Sequence, residues 1–118
     1  MEAPASNARI QFGDCVVDPL ARELRRGGRR VELSARTYEL LLLLLEAHPR
    51  PLSRAELHDR LWPETCVSAT GLPHLVGRLR RALGDDSREP RYVRTHHGFG
   101  YGFCGTPSRG GSTPPTDS

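Results

Sequence analysis

Between Thr70 and Leu83 the chain reads Thr-Gly-Leu-Pro-His-Leu-Val-Gly-Arg-Leu-Arg-Arg-Ala-Leu. At ~100° of turn per residue, Thr70, His74, Gly77, Arg78 and Arg81 share one side, with Arg80 on its flank and no carboxylate among them. These groups make no covalent chemistry. They donate hydrogen bonds and present positive charge, which is what a surface needs to lie against a polyanion. The same spacing also describes an ordinary amphipathic helix with a solvated basic side, and within this stretch alone the two readings stand level. A second set with chemical potential is His96-His97 with Cys104, a nucleophile or metal pair on paper. No orienting carboxylate or phosphate-cradling glycine loop accompanies it, and the polarity of a hairpin tip accounts for it. No enzyme, cofactor or metal site is expected.

The totals narrow the field. A chain of 118 residues holds one domain with a modest core and frayed ends. All 17 basic residues are arginine. The planar fork of arginine suits phosphate oxygens and guanine edges, although a GC-rich genome produces the same bias. A net charge of +3 is mild, so any electrostatic footprint must come from clustering. Cys15, Cys66 and Cys104 are odd in number and show no metal-ligand spacing, which argues against a disulfide framework or zinc site. The longest apolar run, Leu40 to Leu45, is too short to span a bilayer, and the first residues lack a secretory pattern. A cytoplasmic protein without membrane contact is expected. No exposed aromatic platform suggests RNA.

Short strands and helices along the rest of the chain would hold these groups in place. Ile10 and Phe12, then Val31 and Leu33, alternate on either side of Gly27-Gly28, which predicts antiparallel hairpins and a four-stranded sheet in the first third. Arg25, Arg26, Arg29 and Arg30 flank the Gly-Gly turn, and a solvated tip is the plainer account of them. Ser34 is placed to cap a helix over Ala35 to Ala47, whose leucines on nearly all sides predict burial from several directions. Ser53-Arg-Ala-Glu56 has the form of a capping box, with Leu52 and Leu57 as a hydrophobic staple. That helix must stop near Trp62, because Pro63 follows. Leu72, Val76, Leu79 and Leu83 form the apolar stripe of the next helix, and Gly84 stands where it should end. Two helices joined by a brief connector, the second with a basic outer face, make a helix-turn-helix. Arg91 to Thr95 and Gly100 to Phe103 then form a hairpin whose tip could reach phosphates or a minor groove. The folded domain is expected over residues 9–104, with residues 1–8 and 105–118 disordered.

Taken together, Val-Glu-Leu-Ser before the leucine-rich helix, Leu-Ser-Arg-Ala-Glu-Leu-His-Asp-Arg-Leu-Trp-Pro-Glu-Thr, Leu-Arg-Arg-Ala-Leu-Gly-Asp-Asp and Pro-Arg-Tyr-Val-Arg-Thr-His-His-Gly-Phe-Gly-Tyr-Gly-Phe resemble the OmpR/PhoB-type winged helix-turn-helix domain. The connector before the third helix is similar to that of one-component regulators of the ToxR/CadC kind, which lack a receiver domain. The resemblance covers Arg9 to Phe103. It implies an α+β fold: an N-terminal four-stranded antiparallel sheet, three helices and a C-terminal hairpin wing. It also implies sequence-specific binding of double-stranded DNA in bacterial transcription, often as tandem head-to-tail dimers on direct repeats. RNA polymerase would be touched through Pro63 to Ala69. Thr70, His74, Gly77, Arg78 and Arg81 would face the bases of the major groove. Arg54, Trp62, Arg80, Arg94, Thr95 and His97 would serve phosphates and the wing.

Several positions depart from the family pattern. Pro73 lacks an N–H and must lie in the first helical turn. Gly71 and Gly77 replace side chains that would otherwise reach the duplex. His97 stands where the family usually has arginine, exchanging a permanent charge for an imidazole. These changes thin the reading surface and imply weaker or less selective binding. They leave open a second reading, a protein-interaction module of the same fold with weakened or lost DNA binding.

Overall fold

The computed structural model describes residues 9–62, 71–86 and 88–109. In chain order the elements are β1 (Ile10–Phe12), β2 (Cys15–Asp18), β3 (Glu23–Arg26), β4 (Arg29–Val31), α1 (Ala35–Ala47), β5 (Leu52–Ser53), α2 (Arg54–Leu61), α3 (Gly71–Leu83), β6 (Val93–His96), β7 (Gly100–Phe103) and β8 (Ser108–Arg109). They fall into two units, one of residues 1–32 with 106–118 and one of residues 33–105. The reading of residues 1–8 as disordered and the expected contact of Pro63 to Ala69 with RNA polymerase fall on residues outside those described.

In the first unit, antiparallel strands follow the order β4-β3-β2-β1-β8. Alternation places Ile10, Phe12, Cys15, Val17 and Leu24 in the interior. Gly27 and Gly28 turn at φ of 60° and 84°, the two positive angles a tight two-residue hairpin requires. The four expected strands are present. The tail reading needs correction at its start, because β8 lies inside 105–118 and pairs with β1 as a fifth strand. The open edge of β1 offers unpaired backbone groups, and two residues suffice to take them. A strand that short leaves no alternation in a Pro- and Gly-rich sequence.

In the second unit, α1 packs on α3, α2 and β7. Ser34 Oγ accepts from the Thr37 N–H at 3.2 Å, as an N-cap should. Leu40, Leu41, Leu44 and Leu45 are buried, whereas Leu42 and Leu43 are only half-buried. Burial on nearly all sides was therefore too strong an expectation for this helix. The capping box of α2 is complete: Glu56 N–H donates to Ser53 Oγ at 3.1 Å, and Ser53 N–H donates to Glu56 Oε1 at 2.9 Å. The hairpin gains a strand that was not expected. β5 pairs with β7 in the order β5-β7-β6, so the residue that caps α2 is also stitched into the sheet.

The Ser53 N–H holds the Glu56 carboxyl below its ordinary value of 4.5; slight burial opposes this and the Arg50 guanidinium adds to it. A depressed folded-state pKa contributes stability that is whole above the unfolded value and vanishes as pH falls through the folded one. Thermal unfolding from about pH 6 to pH 3 should thus lose part of its stability below pH 4.5 through this group. Glu56→Gln should flatten that part of the curve. An acid limb identical to that of the wild type would remove the capping carboxylate from the account.

Candidate nucleic-acid interface

The apolar side of α3 is fixed by Leu72, Val76, Leu79 and Leu83, none more than 1 % exposed, with Leu75 beside them. Pro73 is the third residue of the helix, within the turn where a missing N–H costs nothing. At the other end Gly84, at φ 72°, closes a Schellman motif: Asp85 N–H donates to Arg80 O at 2.8 Å and Gly84 N–H to Arg81 O at 3.2 Å. Burial of that stripe forces His74, Gly77, Arg78 and Arg81 outward, and all four are exposed. With Pro73 they line one shallow concavity. Neither Arg78 nor Arg81 makes an ion pair among the described residues. Thr70 lies outside the described residues.

The flanking candidates divide. Arg54 is exposed at the first position of α2, where its N–H donates to Phe99 O at 3.0 Å. Arg94 and His97 are exposed on the hairpin, with Gly98 at φ 77° in its turn. Trp62 caps α2 half-buried, with the Arg36 guanidinium 5.5 Å over its ring and His58 5.2 Å away. Arg80 and Thr95, both expected at phosphates or the wing, are bonded to one another. Arg80 donates through Nε and Nη2 to Val93 O at 3.3 and 2.9 Å, and through Nη2 to Thr95 Oγ1 at 2.9 Å. The two residues lock α3 to β6 instead of standing free. Their separation of 15 residues in sequence hid this from any local pattern.

Two further residues belong to the assembly. Asp85 accepts four backbone N–H bonds, from Asp86 at 2.9 Å and Arg91 at 2.7 Å on Oδ1, and from Tyr92 at 3.2 Å and Val93 at 2.8 Å on Oδ2. It pins the start of the wing to the end of α3. Phe99 is 46 % exposed beside the wing turn, an apolar ring set in Gly-Phe-Gly. An aromatic residue between two glycines was the available signal, and an apolar side chain at a hairpin tip can wedge into a minor groove.

Burial, and then the charge of Asp85, push the Cys104 thiol upward, opposite to what an activated nucleophile needs. Among the described residues no group of three or more His, Cys, Asp or Glu is placed to hold a metal ion. No described helix is long and apolar enough to cross a membrane.

Comparison with known proteins agrees with this geometry. The family model described as "Transcriptional regulatory protein, C terminal" matches residues 28–103. Response regulator MprA of Mycobacterium tuberculosis is 35% identical over 107 residues, covering 90% of this chain and 46% of that protein. The chain thus spans about half the length of the curated relatives it matches. Among solved structures, the Thermotoga maritima OmpR/PhoB homologue DrrB superimposes with a TM-score of 0.75 at 33% identity, over 80% of this chain and 43% of that one. The Klebsiella pneumoniae RstA DNA-binding domain, solved in complex with the RstA box, gives 0.72 at 27% identity, over 80% and 95%. The E. coli CadC DNA-binding domain gives 0.74 at 26%, over 86% and 96%. With three helices, a terminal hairpin and a basic third helix in the matched order, the chain belongs to the OmpR/PhoB-type winged-helix family of transcriptional regulatory domains, a family of regulators and not of enzymes.

Proposed function

We propose that this chain binds double-stranded DNA sequence-specifically in bacterial transcriptional control, with α3 in the major groove and the wing on phosphates or an adjacent minor groove. The observation that carries the reading is the pair Arg78 and Arg81, exposed on the side of α3 opposite its buried stripe and without an ion-pair partner among the described residues. Arg78 is assigned to a guanine edge, Arg81, His74 and Thr70 to neighbouring bases, and Arg54, Trp62, Arg94 and His97 to phosphates. Phe99 joins them at the wing tip. Arg80 and Thr95 act through position, holding the wing against the helix. Cytoplasmic location, contact with RNA polymerase through Pro63 to Ala69 and tandem pairing on direct repeats complete the reading.

Fluorescence anisotropy against duplex pools tests it. Arg78→Ala should cost about 1–3 kcal/mol and relax preference at one base position, and affinity should fall log-linearly with salt. Unchanged affinity and preference in the variant would place the recognition face elsewhere. A second reading, a protein-interaction module with weakened DNA binding, is favoured by Gly77, where the middle of the outer face offers open space instead of a side chain. Flat salt dependence with every duplex would select it.

A further inference from the structure

Gly77 stands midway along α3, where glycine weakens a helix, and nothing within the fold calls for it there. Gly27, Gly28 and Gly98 turn the chain at positive φ, and backbone atoms of Leu52 and Pro51 crowd the places where Gly100 and Gly102 would carry a Cβ. Gly77 has neither reason. Its φ is not positive, and a Cβ built on it meets nothing within 4 Å. A residue whose missing side chain serves no neighbour leaves room for something outside the chain.

The walls of that notch say what would fit. Residues three and four apart are neighbours on a helix surface, so Pro73 and Arg81 stand at its two ends and His74 at its side. With Gly77 and Arg78 they line a concavity of about 350 Å³, and all five are exposed. The floor at Gly77 is bare α-carbon, and Pro73 adds a hydrocarbon ring. Amide N–H groups this far into a helix are bonded within it, so the bare backbone has no donor for a phosphate. It offers space for a small apolar group beside a guanidinium.

We infer that the Pro73–Gly77 notch seats the C5-methyl group of a 5-methylpyrimidine, thymine or 5-methylcytosine, beside the guanine that Arg78 reads. That methyl is the apolar feature of the base edges in the major groove, and guanine O6 and N7 suit the arginine fork. Gly77 and Arg78 are roughly 1.5 Å apart along the helix axis, less than the ~3.4 Å between successive bases, so methyl and guanine fall on the same or adjoining base steps. The inference rests on the DNA-binding reading and deepens it. The missing side chain at Gly77 becomes a source of selectivity, where a larger residue would occupy the methyl's place.

The probe is a duplex that the wild-type chain enriches from a random pool, with binding followed by fluorescence anisotropy at fixed salt. Each thymine is replaced in turn by uracil, which deletes only the methyl group, and each cytosine by 5-methylcytosine, which adds it. At one position beside the guanine whose preference Arg78→Ala relaxes, the wild type should bind the methylated form about fourfold more tightly, as burial of one methyl group gives. A loss with uracil identifies thymine as the occupant, and a gain with 5-methylcytosine identifies that base. Gly77→Ala places a methyl group of its own in the notch without a clash. This variant should bind the two forms alike while keeping the guanine preference. Equal binding of both forms by the wild type at every position would overturn the inference. So would a Gly77→Ala variant that keeps the full methyl preference, because the methyl would then sit elsewhere. A pool yielding no salt-dependent binder removes the DNA-binding reading and this inference with it, whereas a binder indifferent to the methyl group removes the inference alone.

Discussion

Gly100→Ala is expected to cost the domain about 3 kcal/mol, at the upper end of what overpacking produces. A Cβ built at Gly100 lands on the Leu52 carbonyl oxygen and within 2.9 Å of Ser53 Cα. Both obstacles are backbone, so no rotamer change relieves them. Gly100 is not among the glycines with positive φ, which makes the cost one of space alone. The strain falls where β5 joins β7, with Leu52 opposite Tyr101 and Ser53 opposite Gly100. Ser53 is also the N-cap of α2, and the next residue, Arg54, donates to Phe99 O across the same junction. One methyl group therefore loosens the wing from α2. Urea unfolding should show a lower midpoint with an unchanged slope. Gly77→Ala serves as the opposite control: nothing lies within 4 Å of its Cβ, and removing glycine from a helix interior should stabilise by about 0.5–1 kcal/mol. Equal midpoints for wild type and Gly100→Ala would mean that β5 yields easily and that the junction does not set the wing.

Which features were legible in the sequence follows from how local they are. The capping box, the hydrophobic stripe of α3 and the Gly-Gly turn each repeat or close within a few residues, and each appears as expected. The outward placement of Arg78 and Arg81 came with the stripe, because a helix that buries one side has no choice about the other. Strands β5 and β8 are two residues each and exist only through their partners, β7 and β1. No periodicity can announce them. Arg80 looked like one more cation beside Arg81, yet it is bound to Val93 and Thr95 across the turn that follows the helix. Leucines 42 and 43 failed in the other direction: composition marked them as core, but α1 has no described neighbour that covers that side completely.

Asp85→Ala should rival Gly100→Ala in effect, for an electrostatic reason. The carboxylate is the shared acceptor of four main-chain donors, and Tyr92 and Val93, two of the residues it holds, are 6 % and 0 % exposed. A hydrogen bond to a charged group contributes about 1.5–3 kcal/mol, and four bonds to one carboxylate do not add. A loss of about 3 kcal/mol, the upper end for one such bond, is therefore expected. Asp85→Asn should recover little of it. Its one carbonyl can replace one oxygen, but the amide NH₂ would then face two N–H donors. Glu is no remedy either, since the longer side chain displaces the carboxylate from the amides it serves. The effect on DNA affinity should exceed the effect on stability at temperatures where the variant remains folded. Asp85 and Arg80 both tie the end of α3 to β6, and a wing that loses the first tie cannot keep one distance from the helix. A variant that unfolds at the wild-type urea midpoint and binds duplex DNA unchanged would show that packing of Val93 and Tyr92 alone fixes the wing.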